Sequence, residues 1–300
     1  MNGKVNTLSQ IASLRRYTIT EGSAKGLDFI DIDNGNIRFL LNVSKALDIT
    51  QLYHKGVNMS FLSKNALTAR EIGFSNRFEG GMLYTCGFDN IGGREGYEVH
   101  GTFHNSTAEV VRAECTADEI IVVANIRNAE LFGKNLLIRR EITTKIGSDT
   151  INLCDQLINE SYRDEEYCVL YHFNVGYPML DNGGKVIADI EEIKPRNAWA
   201  EENISTALLI EEDVPEKLET CYYIKLKEPK VTYVNEKLGR ELSISYSNDT
   251  LPCFTLWKSM ASGDYALGLE PCTSELDDNF NRKVVKAGES VKFELSLSIK

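Results

Sequence analysis

The run "LYHFNVGYPML", residues 170–180, sets one histidine, His172, among apolar and aromatic neighbours. Imidazole titrates near neutrality and can give or take a proton, so a histidine in such a run is a candidate for acid–base chemistry. A strand sends alternate side chains to opposite faces. On that spacing Tyr167, Val169, Tyr171, Phe173 and Val175 make one continuous apolar row, and His172 and Asn174 fall on the other, more polar side. The apolar row is expected to meet the core. The His172 face either meets water or lines a hollow.

The same decomposition of "DYALGLEPCTS" (264–274) puts Tyr265, Leu267 and Leu269 on one face and Ala266, Gly268 and Glu270 on the other. Two small residues before a carboxylate leave room for a ligand to lie against the sheet, and Pro271 is expected to end the ladder just beyond. The plainer alternative is a solvated glutamate at a strand end. A third cluster is "YEVHGTFHNST" (97–107), where His100 and His104 flank a glycine. On a helix that spacing would offer two metal ligands, but Gly101-Thr102-Phe103 is poor helix material. Three of the four histidines therefore lie in segments that suit the wall of a pocket. These residues alone leave two chemistries open: a His/Glu metal site, or a metal-free site in which imidazole and carboxylate act directly.

The elements that must position these groups are strands. Period-2 alternation punctuated by turn residues dominates the chain. Residues 135–161 are expected to form a long hairpin turning at Gly147-Ser148-Asp149, and residues 230–249 another turning near Leu238-Gly239. The closing stretch "VVKAGESVKFELSLSIK" reads as a further hairpin, with Val291, Phe293, Leu295, Leu297 and Ile299 on one face, pinning the end of the chain into a sheet. Helical signals are few: "TLSQIASL" suits a short helix capped by Thr7 or Ser9, and "NVSKALDITQLYHKG" is ambiguous. The Gly-rich stretch at 78–96 lacks G-x-G-x-x-G and a following helix, so loops passing a cleft explain it better than a phosphate cradle. With no repeat, linker or low-complexity run, residues 1–300 are expected to form a single all-β domain.

The 300 residues include 42% hydrophobic and 26% charged side chains, ordinary values for a globular chain. A net charge of -11, spread along the sequence, gives no electrostatic reason to bind nucleic acid. No signal-peptide pattern and no membrane span is evident, and the seven cysteines never form C-x-x-C. A cytoplasmic protein with buried, reduced thiols is expected.

With these segments placed, the sequence resembles the aldose 1-epimerase (galactose mutarotase-like) superfamily, and within it a less characterised branch. The pieces, in order, are "RRYTITEGSAKGLDFIDIDNGN" near the start, "SNRFEGG" (75–81), "VHGTFHN" (99–105), "YHFNVGYPML" (171–180), "LPCFTLWKSM" (251–260) and "YALGLEPCTS" (265–274). The resemblance spans nearly the whole chain and implies a β-supersandwich of large antiparallel sheets carrying a sugar site. It implies His172 as general acid, Glu270 as general base, His100 at the ring oxygen and Arg77 as a substrate contact, without cofactor or metal. His172 is then expected to be protonated in the resting site and Glu270 ionised. Typical mutarotases carry a substrate-binding aspartate upstream of the glutamate segment; "FTLWKSM" offers Trp257 and Lys258 instead. The resulting expectation is an isomerase that interconverts anomers of a free sugar or simple derivative, with His100, His104, Asn174, Arg77, Trp257 and Lys258 around the substrate. The rivals are a metal-dependent sugar-modifying enzyme and a non-catalytic carbohydrate-binding protein.

Overall fold

The structure, a computed structural model, describes residues 3–300. Eighteen strands carry it. The first five are β1 (Ser13–Thr18), β2 (Asp28–Asp33), β3 (Ile37–Asn42), β4 (Asp48–His54) and β5 (Val57–Asn58). After a single-turn helix, α1 (Phe74–Arg77), come β6 (Leu83–Phe88), β7 (Ala108–Cys115), β8 (Glu119–Ala129), β9 (Asn135–Lys145), β10 (Thr150–Asn159), β11 (Glu165–Gly176) and β12 (Lys185–Pro195). A second short helix, α2 (Ala198–Glu202), precedes β13 (Thr220–Asn235), β14 (Arg240–Tyr246), β15 (Cys253–Ala261), β16 (Asp264–Cys272), β17 (Lys283–Val285) and β18 (Ser290–Ile299). The fold is all-β and antiparallel throughout: β1 to β5 form a five-stranded meander, and the rest form a thirteen-stranded sheet.

The large sheet closes over its own inner face. Tyr171 Oη on β11 donates to Asp155 Oδ2 on β10 at 2.8 Å although these strands are not neighbours in the sheet. One apolar cluster accordingly takes Val169, Phe173 and Leu267 from one arm, Val122 and Leu153 from the other, and Phe39 and Leu41 from the five-stranded sheet. The alternation of β11 supplies its share as expected, since Tyr167, Val169, Tyr171, Phe173 and Val175 all join this cluster. Burying an aliphatic or aromatic side chain stabilises by about 1.5–3 kcal/mol, and a one-residue slip of β11 would take this whole row out of the core and put His172 and Asn174 into it.

Hairpins β9/β10 and β13/β14 turn where the sequence places them, with Gly147 and Gly239 at positive φ. The C-terminal hairpin does not form. β17 pairs with β11, whereas β18 inserts between β14 and β10, because its apolar row of Phe293, Leu295, Leu297 and Ile299 is fully used by the core. Nor does Pro271 end its ladder: β16 runs on to Cys272, with Pro271 opposite Phe254 of β15. The expected N-terminal helix is one 3₁₀ turn, Leu8–Gln10, in which Gln10 Oε1 accepts from the Thr7 amide. The ambiguous segment from Asn42 is a turn leading into β4.

A buried charge network sits beneath this assembly. Arg140 on β9 is fully buried and donates to Asp155, Asp48 and Thr85, while His104 bridges Asp48 and Glu79 at 2.7 and 2.9 Å. Lys45 lies 3.6 Å from Glu79. Three cations thus face three carboxylates, so no buried charge is left unmatched. Burial works against the His104 cation, but Glu79 and Asp48 more than offset it and raise its pKa.

Candidate active site

Strand register brings the two candidate catalytic residues together. Phe173 pairs with Leu269 and Leu170 with Cys272, which sets His172 directly across from Glu270 on adjacent strands. Directly opposed residues of an antiparallel pair share a face with their Cβ atoms about 5 Å apart. His172 Nε2 lies 3.2 Å from Glu270 Oε1. The contact is not aligned as a hydrogen bond, and both His172 Nδ1 and Glu270 Oε1 lack a protein partner. On the far side of β11, Tyr84 of β6 pairs with His172, and on the far side of β16, Trp257 of β15 pairs with Gly268.

This face opens into a cavity of about 670 Å³ lined by His172, Glu270, His100, Trp257, Arg196 and Glu219, with Phe61, Phe74 and Phe78 as an apolar wall. A volume of that size accommodates a small organic molecule. The Phe78 and Trp257 rings stand 6.2 and 5.5 Å from the His172 ring. Gly268 makes the pairing possible, because a Cβ there would lie 2.4 Å from Glu270 Oε1 and 2.9 Å from His172 Cε1. The small residue before the carboxylate therefore clears space for the His172 and Glu270 side chains themselves.

The electrostatics of the site run against the expected protonation. Burial pushes the Glu270 carboxyl well above its ordinary range, and the nearby charge of Glu219 pushes the same way. Burial likewise drives His172 well below its ordinary value, helped by His100. A desolvated site disfavours an ion in either group, which favours a carboxylic acid beside a neutral imidazole over the ion pair. The proton count is the same as in the expected imidazolium–carboxylate pair: one acid and one base in contact. His100 is also neutral, its pKa lowered to about 4 by burial and then by Arg196. Its Nδ1 accepts the Gly92 amide at 3.2 Å, which leaves the ring proton on Nε2 as a donor.

Of the expected substrate contacts, His100 and Trp257 line the cavity; Arg77, His104, Asn174 and Lys258 do not. Lys258 alternates with Trp257 on β15 and points to the other face, where Nζ is held by the Thr206 and Leu209 carbonyls and Glu211. Asn174 shares the His172 face but is roofed by the 60–81 segment, its Nδ2 donating to the Gly81 carbonyl. Arg77 Nη2 is committed to Glu98 at 2.7 Å. His104 is locked in the buried network and stacks on Tyr84 at 3.7 Å. His104 therefore stands apart from His100 and His172, whose rings are 5.6 Å apart, and among the described residues no group of three His, Cys, Asp or Glu side chains is arranged to hold a metal ion. Cys86, Cys168, Cys221 and Cys272 are packed beneath the site, where burial raises every thiol pKa and disfavours the nucleophilic thiolate.

Sequence reasoning missed Arg196, Glu219, Phe74 and Phe78. Phe78 closes the quoted "SNRF" segment and Phe74 immediately precedes it, so one helical turn places them together; Arg196 and Glu219 lie in loop-flanking positions with no local signal. No helix of the described residues is long and apolar enough to cross a membrane.

Residues 24–299 match the family described as a domain of unknown function, DUF4432. Among solved structures, a proposed aldose 1-epimerase from Klebsiella pneumoniae superposes with a TM-score of 0.85 at 21% identity, covering 96% of this chain and 83% of that one. A galactose mutarotase-like protein from Clostridium acetobutylicum gives 0.72 at 15% identity, covering 97% and 99%. A proposed mutarotase from Salmonella typhimurium gives 0.68 at 11% identity, covering 98% and 95%. The chain has the galactose mutarotase-like fold; identities this low carry the fold alone. No curated protein matches it at a significant level.

Proposed function

The chain belongs to the DUF4432 family, and we propose that it is an aldose 1-epimerase-type isomerase, interconverting the anomers of a small sugar through His172 and Glu270. The observation that carries this reading is a buried imidazole and carboxyl in contact at 3.2 Å, facing an aromatic-walled cavity.

Opening a pyranose ring breaks the bond between C1 and the ring oxygen while the anomeric hydroxyl loses its proton. The two oxygens are bonded to the same carbon, so an acid and a base must converge on one small region. In the resting pair the base is the His172 imidazole and the acid is the Glu270 carboxyl. The imidazole takes the anomeric proton, the carboxyl gives its proton to the ring oxygen, and the C1 carbonyl forms. The pair is then imidazolium and carboxylate. After rotation about the C1–C2 bond, the carboxylate takes the proton back from the chain hydroxyl as it attacks C1, and the imidazolium returns its proton to the new anomeric oxygen. Protons balance over the cycle and the site is restored. The His100 Nε2–H supplies a further donor to an oxygen carrying developing negative charge. Phe74, Phe78 and Trp257 exclude water and present apolar surface to the C–H face of the ring.

The test is anomer exchange by NMR across a panel of aldoses. Wild-type protein is expected to accelerate exchange of at least one sugar, and Glu270→Gln and His172→Asn each to abolish it with the fold intact. Near-wild-type exchange in either variant removes that residue from the mechanism. Saturable sugar binding that survives Glu270→Gln, with no exchange by wild type, would identify a binding protein.

A further inference from the structure

Three cations reach the cavity lining, Lys64, Arg196 and Lys217, and each already faces a carboxylate. At the rim Lys64 Nζ lies 2.7 Å from Asp264 Oδ2. Lys217 Nζ lies 3.3 Å from Glu211 Oε1. Arg196 grips Asp277 in a two-point fork at 2.7 and 2.8 Å, the geometry in which a guanidinium is best satisfied. Glu219 is different. It lines the same cavity, yet no cationic side chain lies within 4.0 Å of its carboxylate among the described residues.

What holds Glu219 is an indole. Trp257 Nε1 donates to its Oε2 at 2.7 Å, while the Trp257 ring stands 5.5 Å from the His172 ring. The exposed carboxylate is thereby oriented beside an aromatic face at the cavity wall, with Oε1 not engaged by the protein among the described residues. A fixed carboxylate accepts hydroxyl hydrogens in charge-assisted bonds, and the adjoining ring offers the apolar surface that a sugar's C–H face needs. The same charge opposes any second anion placed in the cavity. An anionic ligand would find no unengaged cation to offset that repulsion, and would first have to break an existing ion pair.

We propose that Glu219, oriented by Trp257, is a specificity-determining residue: it accepts hydroxyl groups of an uncharged sugar and turns away sugars that carry a phosphate, sulfonate or carboxylate. The inference rests on the reading of the cavity as a sugar site, and its test therefore uses binding rather than turnover. Purified protein is titrated, with ligand-observed NMR, against a panel of neutral aldoses and their 6-phosphate and uronic acid counterparts. A neutral aldose is expected to saturate the site, with its anionic counterparts at least about tenfold weaker. Glu219→Gln should weaken the neutral sugar about tenfold and narrow the gap to the anionic ones. Trp257→Phe, which keeps a ring but loses the N–H, should move both quantities in the same direction by less. Equal or tighter binding of the anionic sugars by wild type, no saturation by any neutral aldose, or an unchanged gap in Glu219→Gln would overturn the proposal. A sugar bound with the expected preference but not exchanged between anomers would sink the isomerase reading and leave this one standing.

Discussion

Replacing Gly268 with alanine tests the proposed acid–base geometry without substituting His172 or Glu270. The new Cβ would lie 2.4 Å from Glu270 Oε1, 2.9 Å from His172 Cε1 and 3.2 Å from Trp257 Cβ, against 3.4 Å for an ordinary contact. The carboxyl must therefore retreat by about 1.0 Å (3.4 − 2.4), a third of its present 3.2 Å separation from His172. A misplacement of about 1 Å in a catalytic constellation costs roughly 10²-fold, or about 2.7 kcal/mol of transition-state stabilisation. Stability should respond differently. Gly268 is not among the positive-φ glycines, alanine is favoured over glycine in a strand interior, and the two closest clashes fall on side-chain atoms able to rotate away. The expected outcome of Gly268→Ala is a loss of about 100-fold in anomer-exchange rate by NMR, with unfolding free energy in urea within about 1 kcal/mol of wild type. Exchange within about threefold of wild type would refute the claim that this contact is needed for catalysis.

Two further outcomes follow from the buried groups. The exchange rate should follow a bell in pH, because the proposed mechanism runs on the singly protonated His172–Glu270 pair. Its acid limb should lie below the ordinary imidazole value of 6.5, where the pair gains a second proton, and its basic limb above the ordinary carboxyl value of 4.5, where the pair loses its only one. Glu270 is faced by His172, His100, Glu219, Arg196 and the thiols of Cys86 and Cys221, so removing the Glu219 charge should move the basic limb to lower pH; an acid limb above 6.5 would contradict the neutral resting imidazole. Arg140→Met should cost about 3–5 kcal/mol of unfolding free energy by urea titration, since Asp48 and Asp155 would be left buried without their shared cation; a loss under about 1 kcal/mol would show that the two carboxylates are matched by other means.

Much of the fold is written as local periodicity. The alternating row of β11 marks a strand and separates an apolar face from the one bearing His172, so both were readable from spacing alone. The same holds for the Gly268–Glu270 face of β16 and for the turns at Gly147 and Gly239, where the backbone takes positive φ. Alternation also separates Trp257 from Lys258, and naming both as substrate contacts conflicts with the two-residue period. The C-terminal hairpin misled because short loops usually join paired strands, whereas β17 and β18 bury more by pairing with distant partners.

Which residues meet depended on long-range register. Residues 172 and 270 are neighbours only because β11 and β16 pair as they do, and nothing in either segment encodes the other. His100 and His104 differ by four positions in one loop, yet one lines the cavity and the other sits in a buried ion network, a division made by the loop's turn through His100 and Gly101 at positive φ. Asn174 has the right face and the wrong cover. Protonation was least legible of all: residue type fixes an ordinary pKa, but desolvation and neighbouring charge are properties of the assembled site, and here burial acts against the ion in both groups.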